Sequence, residues 1–153
     1  MLEVTGDIWD FHRQENWIVI PVNGAVKNNG EAVMGAGLAL QAAQRFPELP
    51  KELGSWITDS GTNVYWHGYK TYIITFPTKH RNWRADSCLG LIEESAWSLK
   101  RWNDSAQLPI SVYLPRLGCG ERTGRLQWSD VKPILEQHLD DRFTVVSQPE
   151  TQP

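Results

Sequence analysis

At 153 residues the chain has the length of one ordinary domain, enough to bury a full core without disulfide or metal staples. Its 15 Lys and Arg against 18 Asp and Glu leave a formal charge of −3, which excludes a basic field over the whole molecule of the kind that holds a duplex non-specifically. No apolar run approaches the ~20 residues of a membrane span, and residues 1–10 carry neither a basic nor a hydrophobic leader region, so a soluble, cytoplasmic protein without a membrane partner is expected.

Runs rich in β-branched and aromatic residues predict strands at 2–5 and 17–22. A helix over 38–46 opens after Gly35-Ala36-Gly37 and ends before Pro47, and 47–61 reads as the longest irregular stretch. Strands at 64–66 and 72–76 flank His67-Gly68-Tyr69-Lys70, which reads as a hairpin. Apolar positions 92, 95/96, 99 and 102 give a helix over 91–102, followed by a strand at 110–114. A third helix is expected over 129–139, capped by Ser129, with Pro133 near its first turn and Val131, Ile134, Leu135, His138 and Leu139 in one stripe. The last strand is 143–146, and 147–153 is a polar tail. Most strand runs are too continuous to have a wet face, so the alternation predicts one α/β domain over 1–146, its sheet covered on both sides and holding one antiparallel hairpin.

Two glycine-rich loops follow strands and precede helices: Met34-Gly35-Ala36-Gly37-Leu38 and residues 115–124, which include Leu117-Gly118-Cys119-Gly120. Small residues let backbone approach a ligand, and a helix N-terminus offers unpaired N–H groups with positive potential. Either loop alone could be no more than a flexible helix start; together at the carboxyl ends of strands they predict a diphosphate cradle. Between them stands Phe76-Pro77-Thr78-Lys79-His80-Arg81-Asn82-Trp83. Lys79 is either a solvated loop lysine or, with its pKa lowered by burial and neighbouring cations, a nucleophile. Asn23 is either a sugar ligand or an Asx-turn, and Glu121 either an acid or base or a solvated carboxylate. His80 is the one histidine within reach of such chemistry, whereas His12, His67 and His138 read as structural or exposed. Cys88 and Cys119 lack metal-ligand spacing and read as free thiols, with no metal site. The eight tryptophans exceed average usage; Trp17, Trp97 and Trp102 read as packing, Trp128 as a buttress of the second loop, and Trp83 as the one ring placed to touch substrate.

Gly6-Asp7-Ile8, Val22-Asn23, Met34-Gly35-Ala36-Gly37-Leu38-Ala39-Leu40-Gln41, Phe76-Pro77-Thr78-Lys79 and Leu117-Gly118-Cys119-Gly120 with Leu126-Gln127-Trp128 resemble the macrodomain family, over residues 1 to about 146. Within it they are most similar to the DarG-type branch, which includes terminal ADP-ribose glycohydrolases and small phage and bacterial proteins. The resemblance implies a three-layer α/β/α fold with a mixed central sheet that binds ADP-ribose, as ligand or product and with no cofactor, across its crest. It implies that Asp7 accepts from the adenine amino group beside the Ile8 backbone, and that Asn23 meets the distal ribose. Met34, Gly35, Ala36 and Gly37 would form the first phosphate loop, and Leu117, Gly118, Cys119 and Gly120 the second.

The branch further implies catalysis by the lysine of the F-P-T-K element, here Lys79, acting on the anomeric carbon of the distal ribose, with Glu121 as the assisting carboxylate. The expected activity is removal of ADP-ribose from a modified macromolecule, thymidine-linked DNA first. A single-stranded acceptor would be gripped by His80, Arg81, Trp83 and Arg84, and the protein is expected to be a monomer. A non-catalytic ADP-ribose reader and an ADP-ribose 1″-phosphate phosphatase stay open as alternatives. Two departures from the family pattern touch the site. Residues 24–33 form a longer first loop, which points to a lid or an altered leaving-group preference, and Gly120 is followed by Glu121-Arg122-Thr123-Gly124-Arg125 where relatives have a shorter turn.

Overall fold

A computed structural model describes residues 1–106 and 110–149. In chain order the elements are β1 (Leu2–Thr5), α1 (Ile8–Arg13), β2 (Trp17–Val22), α2 (Gly37–Arg45), α3 (Leu49–Ser60), β3 (Tyr65–Trp66), β4 (Ile73–Pro77), α4 (Leu89–Ser105), β5 (Val112–Leu114), α5 (Trp128–His138) and β6 (Phe143–Ser147). The strands make one six-stranded sheet in the order β1-β6-β5-β2-β4-β3. Every pairing is parallel except that of β3 with β4.

The period-2 alternation of β2 divides the core. Trp17 and Val19 face one side with Ile92, Ala96 and Leu99 of α4 and Val131 and Leu135 of α5. Ile18, Ile20 and Val22 face the other, with Ile8 and Trp9 of α1, Ala42 of α2 and Leu49 and Leu53 of α3. The result is the expected three-layer α/β/α sandwich with a mixed sheet. β1 is the exception to two-sided burial: as an edge strand it leaves Leu2 and Val4 exposed.

Five sequence expectations need correction. The stretch 47–61 is mostly the helix α3, because Pro50 sits in the first turn, where a missing N–H is harmless, and Gly54 lies where a neighbouring loop excludes any side chain. α1 was not foreseen; Asp7 caps it, its Oδ1 accepting from the Trp9 N–H at 3.0 Å. Helix α5 begins at Trp128 after Gln127 in the N-cap position, so Ser129 caps nothing and Pro133 lies inside the helix rather than in its first turn. Trp97 also departs from its packing assignment: it is 51% exposed under the Arg101 guanidinium. Ser147, expected in a polar tail, is the last residue of β6, and residues 150–153 lie outside the described residues.

Two contacts fix α3 to the rest. The buried His67 bonds Glu52 of α3 through Nδ1 at 2.7 Å and the Thr75 hydroxyl through Nε2 at 2.8 Å, while its ring stacks on Trp56 at 4.7 Å. Residues 24–33 fold back on themselves through a bridge between Val26 and Ala32, and the Ala32 N–H donates to the Pro50 carbonyl at 2.8 Å. A methyl on Gly54 would strike the Gly30 carbonyl and lie 2.8 Å from the Ala32 nitrogen. Gly54→Ala should therefore destabilise the protein by about 1–3 kcal/mol, read as a lowered thermal midpoint.

Burial lowers the pKa of His67 below 6.5, against the raising effects of the hydrogen bond and charge of Glu52. The folded state thus binds this proton less readily than the unfolded chain, so His67 contributes stability above its unfolded pKa that is lost as pH falls through the folded one. The urea midpoint of the wild type should drop from pH 7.5 to pH 5 more steeply than that of His67→Gln. Equal slopes would show that the ring does not titrate against the fold.

Candidate active site

Because β1, β6, β5, β2 and β4 run parallel, their carboxyl ends lie along one crest. The chain leaves β2 toward α2 and α3 on one face and β5 toward α5 on the other, so a crevice opens between them. A groove of about 1710 Å³ runs there, lined by the segments that follow the strands, from Gly6–Trp9 through Asn23, Met34–Ala39 and Lys79 to Gly118–Gly120 and Gln148.

On its first wall, Gly35 has open space above it and Gly37 takes φ +58°, a conformation that side-chain-bearing residues rarely adopt. The N-cap of α2, Ala36, provides no side-chain hydrogen bond, and the first amide of this turn to find a backbone acceptor is Leu40, bonded to the Ala36 carbonyl. The amides before it are left for an anion at the positive end of the helix. Met34 is buried beneath this turn.

The second wall is tighter. Gly118 has φ +76°, and a Cβ there would sit 2.9 Å from Ile92 and 3.1 Å from Ser87. A methyl on Gly120 would strike the Thr123 hydroxyl, and one on Gly124 the Gly118 carbonyl. The Leu126 N–H closes the loop on the Gly118 carbonyl at 2.9 Å, and the Arg125 N–H donates to the Gly120 carbonyl at 2.8 Å. Leu117 departs from its assignment: it is fully buried in the core and supports the loop from below rather than lining the groove. Burial pushes the Cys119 thiol up to about 11, so it is a neutral group in the wall.

Lys79 lies between the walls and is only 8% exposed. Its Nζ donates to the Trp83 carbonyl at 3.0 Å and to the Thr123 carbonyl at 2.6 Å. Burial lowers its pKa below 10.5, the Arg125 charge lowers it further, and Asp86 opposes both. Both acceptors are carbonyl oxygens from different segments, so the Lys79 nitrogen is held in place, and the solvated-loop alternative does not describe a lysine so buried.

The remaining candidates are distributed unevenly. Asp7 and Ile8 line one end of the groove, and Asp7 is exposed there. Asn23 lines it too while making the Asx-turn: its Oδ1 accepts from the Ala25 N–H at 2.9 Å and its Nδ2 donates to the Val33 carbonyl at 3.2 Å. Glu121 is exposed on the rim and is not among the hydrogen-bond partners of Lys79. Trp83 lines the groove at 49% exposure with the Arg84 guanidinium 4.8 Å from its ring, whereas His80, Arg81 and Arg84 are exposed and outside the lining. Of residues 24–33 Val33 alone lines it, because the bridge and the Pro50 bond seat the loop on α3.

Sequence reasoning missed Arg125, Thr123, Arg45 and Gln41. Arg45 lies 3.9 Å over the ring of Trp9, whose Nε1 donates to Gln41 at 2.7 Å, all three lining the groove. The helical spacing of 41 and 45 places both on one face of α2 and could have revealed them. Arg125 sits in the segment that departs from the family pattern and gave no signal.

No protein-family model matches the chain. It is similar to the DNA ADP-ribosyl glycohydrolase of Mycobacterium tuberculosis, with 35% identity over 136 residues, covering 79% of this chain and 36% of that protein. The chain thus spans little more than a third of the length of that curated relative. The fold matches a Thermosipho africanus DarTG structure in complex with ADP-ribose at a TM-score of 0.75 and 23% identity, over 99% of this chain and 42% of that one. It matches the macrodomain of Mycobacterium tuberculosis DarG at a TM-score of 0.75 and 30% identity over 97% of both chains. A likeness of that identity over nearly the whole of both chains, joined to two glycine walls around a buried lysine, establishes that the chain belongs to the macrodomain family, and within it to the DarG type.

Proposed function

We propose that this chain binds ADP-ribose in the groove and removes it from a thymidine base of DNA. The observation that carries the reading is Lys79, buried between two glycine-rich walls, held by two carbonyls from different segments and with its pKa lowered by that burial. The activity named for the curated relative and the ADP-ribose of the Thermosipho africanus complex support it. Adenine would sit at the Asp7 end, the diphosphate between Gly35–Gly37 and Gly118–Gly120, and the distal ribose near Asn23 and Lys79.

In this mechanism the Lys79 amine attacks the anomeric carbon of the distal ribose. The bond from that carbon to the base breaks, its electron pair leaves on the base, and the base takes up the proton that the newly alkylated Lys79 nitrogen gives up. Water then attacks the same carbon; Glu121, on the groove rim, takes a proton from the water and passes one to the Lys79 nitrogen, which leaves as the free amine. No step requires a metal or cofactor.

Single-stranded DNA would approach over Trp83, on which the leaving base stacks, while Arg81 and Arg84 meet flanking phosphates. These side chains concentrate positive charge on one turn of a chain whose net charge is −3. Binding to duplex would need the base to leave its stack, so a single strand is the favoured acceptor.

Lys79→Ala should abolish release of ADP-ribose from a thymidine-modified oligonucleotide while calorimetry still records ADP-ribose binding. Full turnover by this variant would refute the lysine mechanism. A wild type that binds ADP-ribose and releases nothing would instead be a reader, and phosphate release from ADP-ribose 1″-phosphate without action on DNA would make it a phosphatase. Trp83→Ala should raise KM for the oligonucleotide by about tenfold, the equivalent of roughly 1.4 kcal/mol of base stacking, with little change in ADP-ribose affinity.

A further inference from the structure

Two segments meet above the groove, and they are stitched in both directions. Lys79 reaches from the segment after β4 to the Thr123 carbonyl at 2.6 Å. Arg125 reaches back from the segment after β5, its Nη2 donating to the Arg84 carbonyl at 2.7 Å and its Nε to Asp86 at 2.5 Å. Between these the Ser87 N–H donates to the Gly124 carbonyl at 2.9 Å.

The turn at 82–86 depends on these bonds. Within it the Ala85 N–H returns to the Asn82 carbonyl at 3.1 Å and the Arg84 N–H to the Asn82 side chain at 3.1 Å, both local closures. Its hydrogen bonds to the rest of the described residues come from Lys79, on the Trp83 carbonyl, and from Arg125. Arg125 holds φ +61°, a left-handed conformation unfavourable for a residue with a Cβ by about 1 kcal/mol or more. The fork it makes across the gap, like the bond from its own N–H to Gly120, is made from that conformation.

We propose that Arg125 is a positioning residue for Lys79: its fork holds the 82–86 turn against the second glycine loop, which fixes the Trp83 carbonyl that Lys79 engages and keeps a permanent cation beside the amine. This rests on the glycohydrolase reading of the groove, and it assigns a role to a residue within the departure from the family pattern. The charged groups that act on Lys79 are Arg125, from the segment before α5, and Asp86, from the segment before α4. Arg125 disfavours the ammonium form and Asp86 favours it, so removal of Arg125 raises the pKa of Lys79, which burial, the larger cause, continues to lower. The same removal frees the turn that carries Trp83, the ring proposed to meet the base.

Two variants separate placement from charge. Asn tolerates the left-handed conformation but cannot span the gap, so Arg125→Asn removes both fork and cation with little backbone penalty. Arg125→Lys keeps a cation and loses the bidentate geometry. The first readout is the pH dependence of Lys79 acetylation by acetic anhydride in the intact protein, quantified by peptide mass spectrometry; it needs no substrate. Half-modification of Lys79 should move to higher pH in Arg125→Asn and stay near the wild-type position in Arg125→Lys. The second readout is turnover on the thymidine-modified oligonucleotide at neutral pH. There both variants should lose about tenfold to a hundredfold in kcat through misplacement, with ADP-ribose binding retained. Wild-type Lys79 titration in Arg125→Asn would overturn the inference whether or not the oligonucleotide is a substrate. Absence of any release by the wild type would sink the glycohydrolase reading instead and leave the titration to decide the role of Arg125.

Discussion

The structure depends on β2 being paired in parallel on both sides, to β4 along Ile18–Val22 and to β5 along Trp17–Ile18. A parallel neighbour can be reached only by a crossover, and here the crossovers from β2 and from β5 lie on opposite faces of the sheet. That arrangement leaves the crest between the two strands uncovered, and it brings together segments more than 80 residues apart in the chain. The continuous apolar sequence of β2 is its counterpart: a strand with neighbours on both edges and helices on both faces has no position for a polar side chain until Asn23, where it ends.

The groove joins two kinds of wall. The first is open, with free space above Gly35, and it offers amides at the start of a helix. The second is crowded: Gly118, Gly120 and Gly124 each lie against atoms that a methyl would strike. A crowded loop cannot collapse when its ligand leaves, so its shape is preorganised, and the diphosphate would meet donors already in place. Lys79 gains from the same crowding. Its two carbonyl partners come from different segments, so the amine is held by a closed site rather than by a flexible loop.

The tryptophans divide along the same axis. Trp17, Trp66 and Trp102 gather with Tyr69 and Tyr72 at the opposite end of the sheet from the groove, their ring centroids 5.0 to 6.5 Å apart. Trp128 stacks under Arg116 and donates to Glu3 at 3.2 Å, tying the start of α5 to the edge strand. Trp9 braces Gln41 and Arg45 at the Asp7 end of the groove, and Trp56 braces His67. Trp97 and Trp83 are the two that stay half exposed, and of these only Trp83 borders the groove.

Much of this was legible in the residues. The strands were, because burial on two faces demands continuous β-branched runs. So were the two glycine loops, because close backbone approach calls for small residues, whereas Lys79 stood open from its own neighbours between a solvated loop lysine and a nucleophile until its burial was seen. The helix α3 was hidden, since Pro50 and Gly54 read as breakers and are tolerated for positional reasons that depend on the turn and on a neighbouring loop. The sequence by itself determined the strands, the helices α2, α4 and α5, and which segments have the glycine-rich composition an anion site would need, all of which follow from local periodicity and residue chemistry. Only the tertiary structure decided that Leu117 is core rather than ligand, that Asn23 closes a turn, that residues 24–32 are seated on α3, and that Arg125 reaches Asp86 and Arg84 beside Lys79. Those outcomes depend on which atoms of distant segments come within a few ångströms of one another, a property of the packed chain that no local pattern encodes.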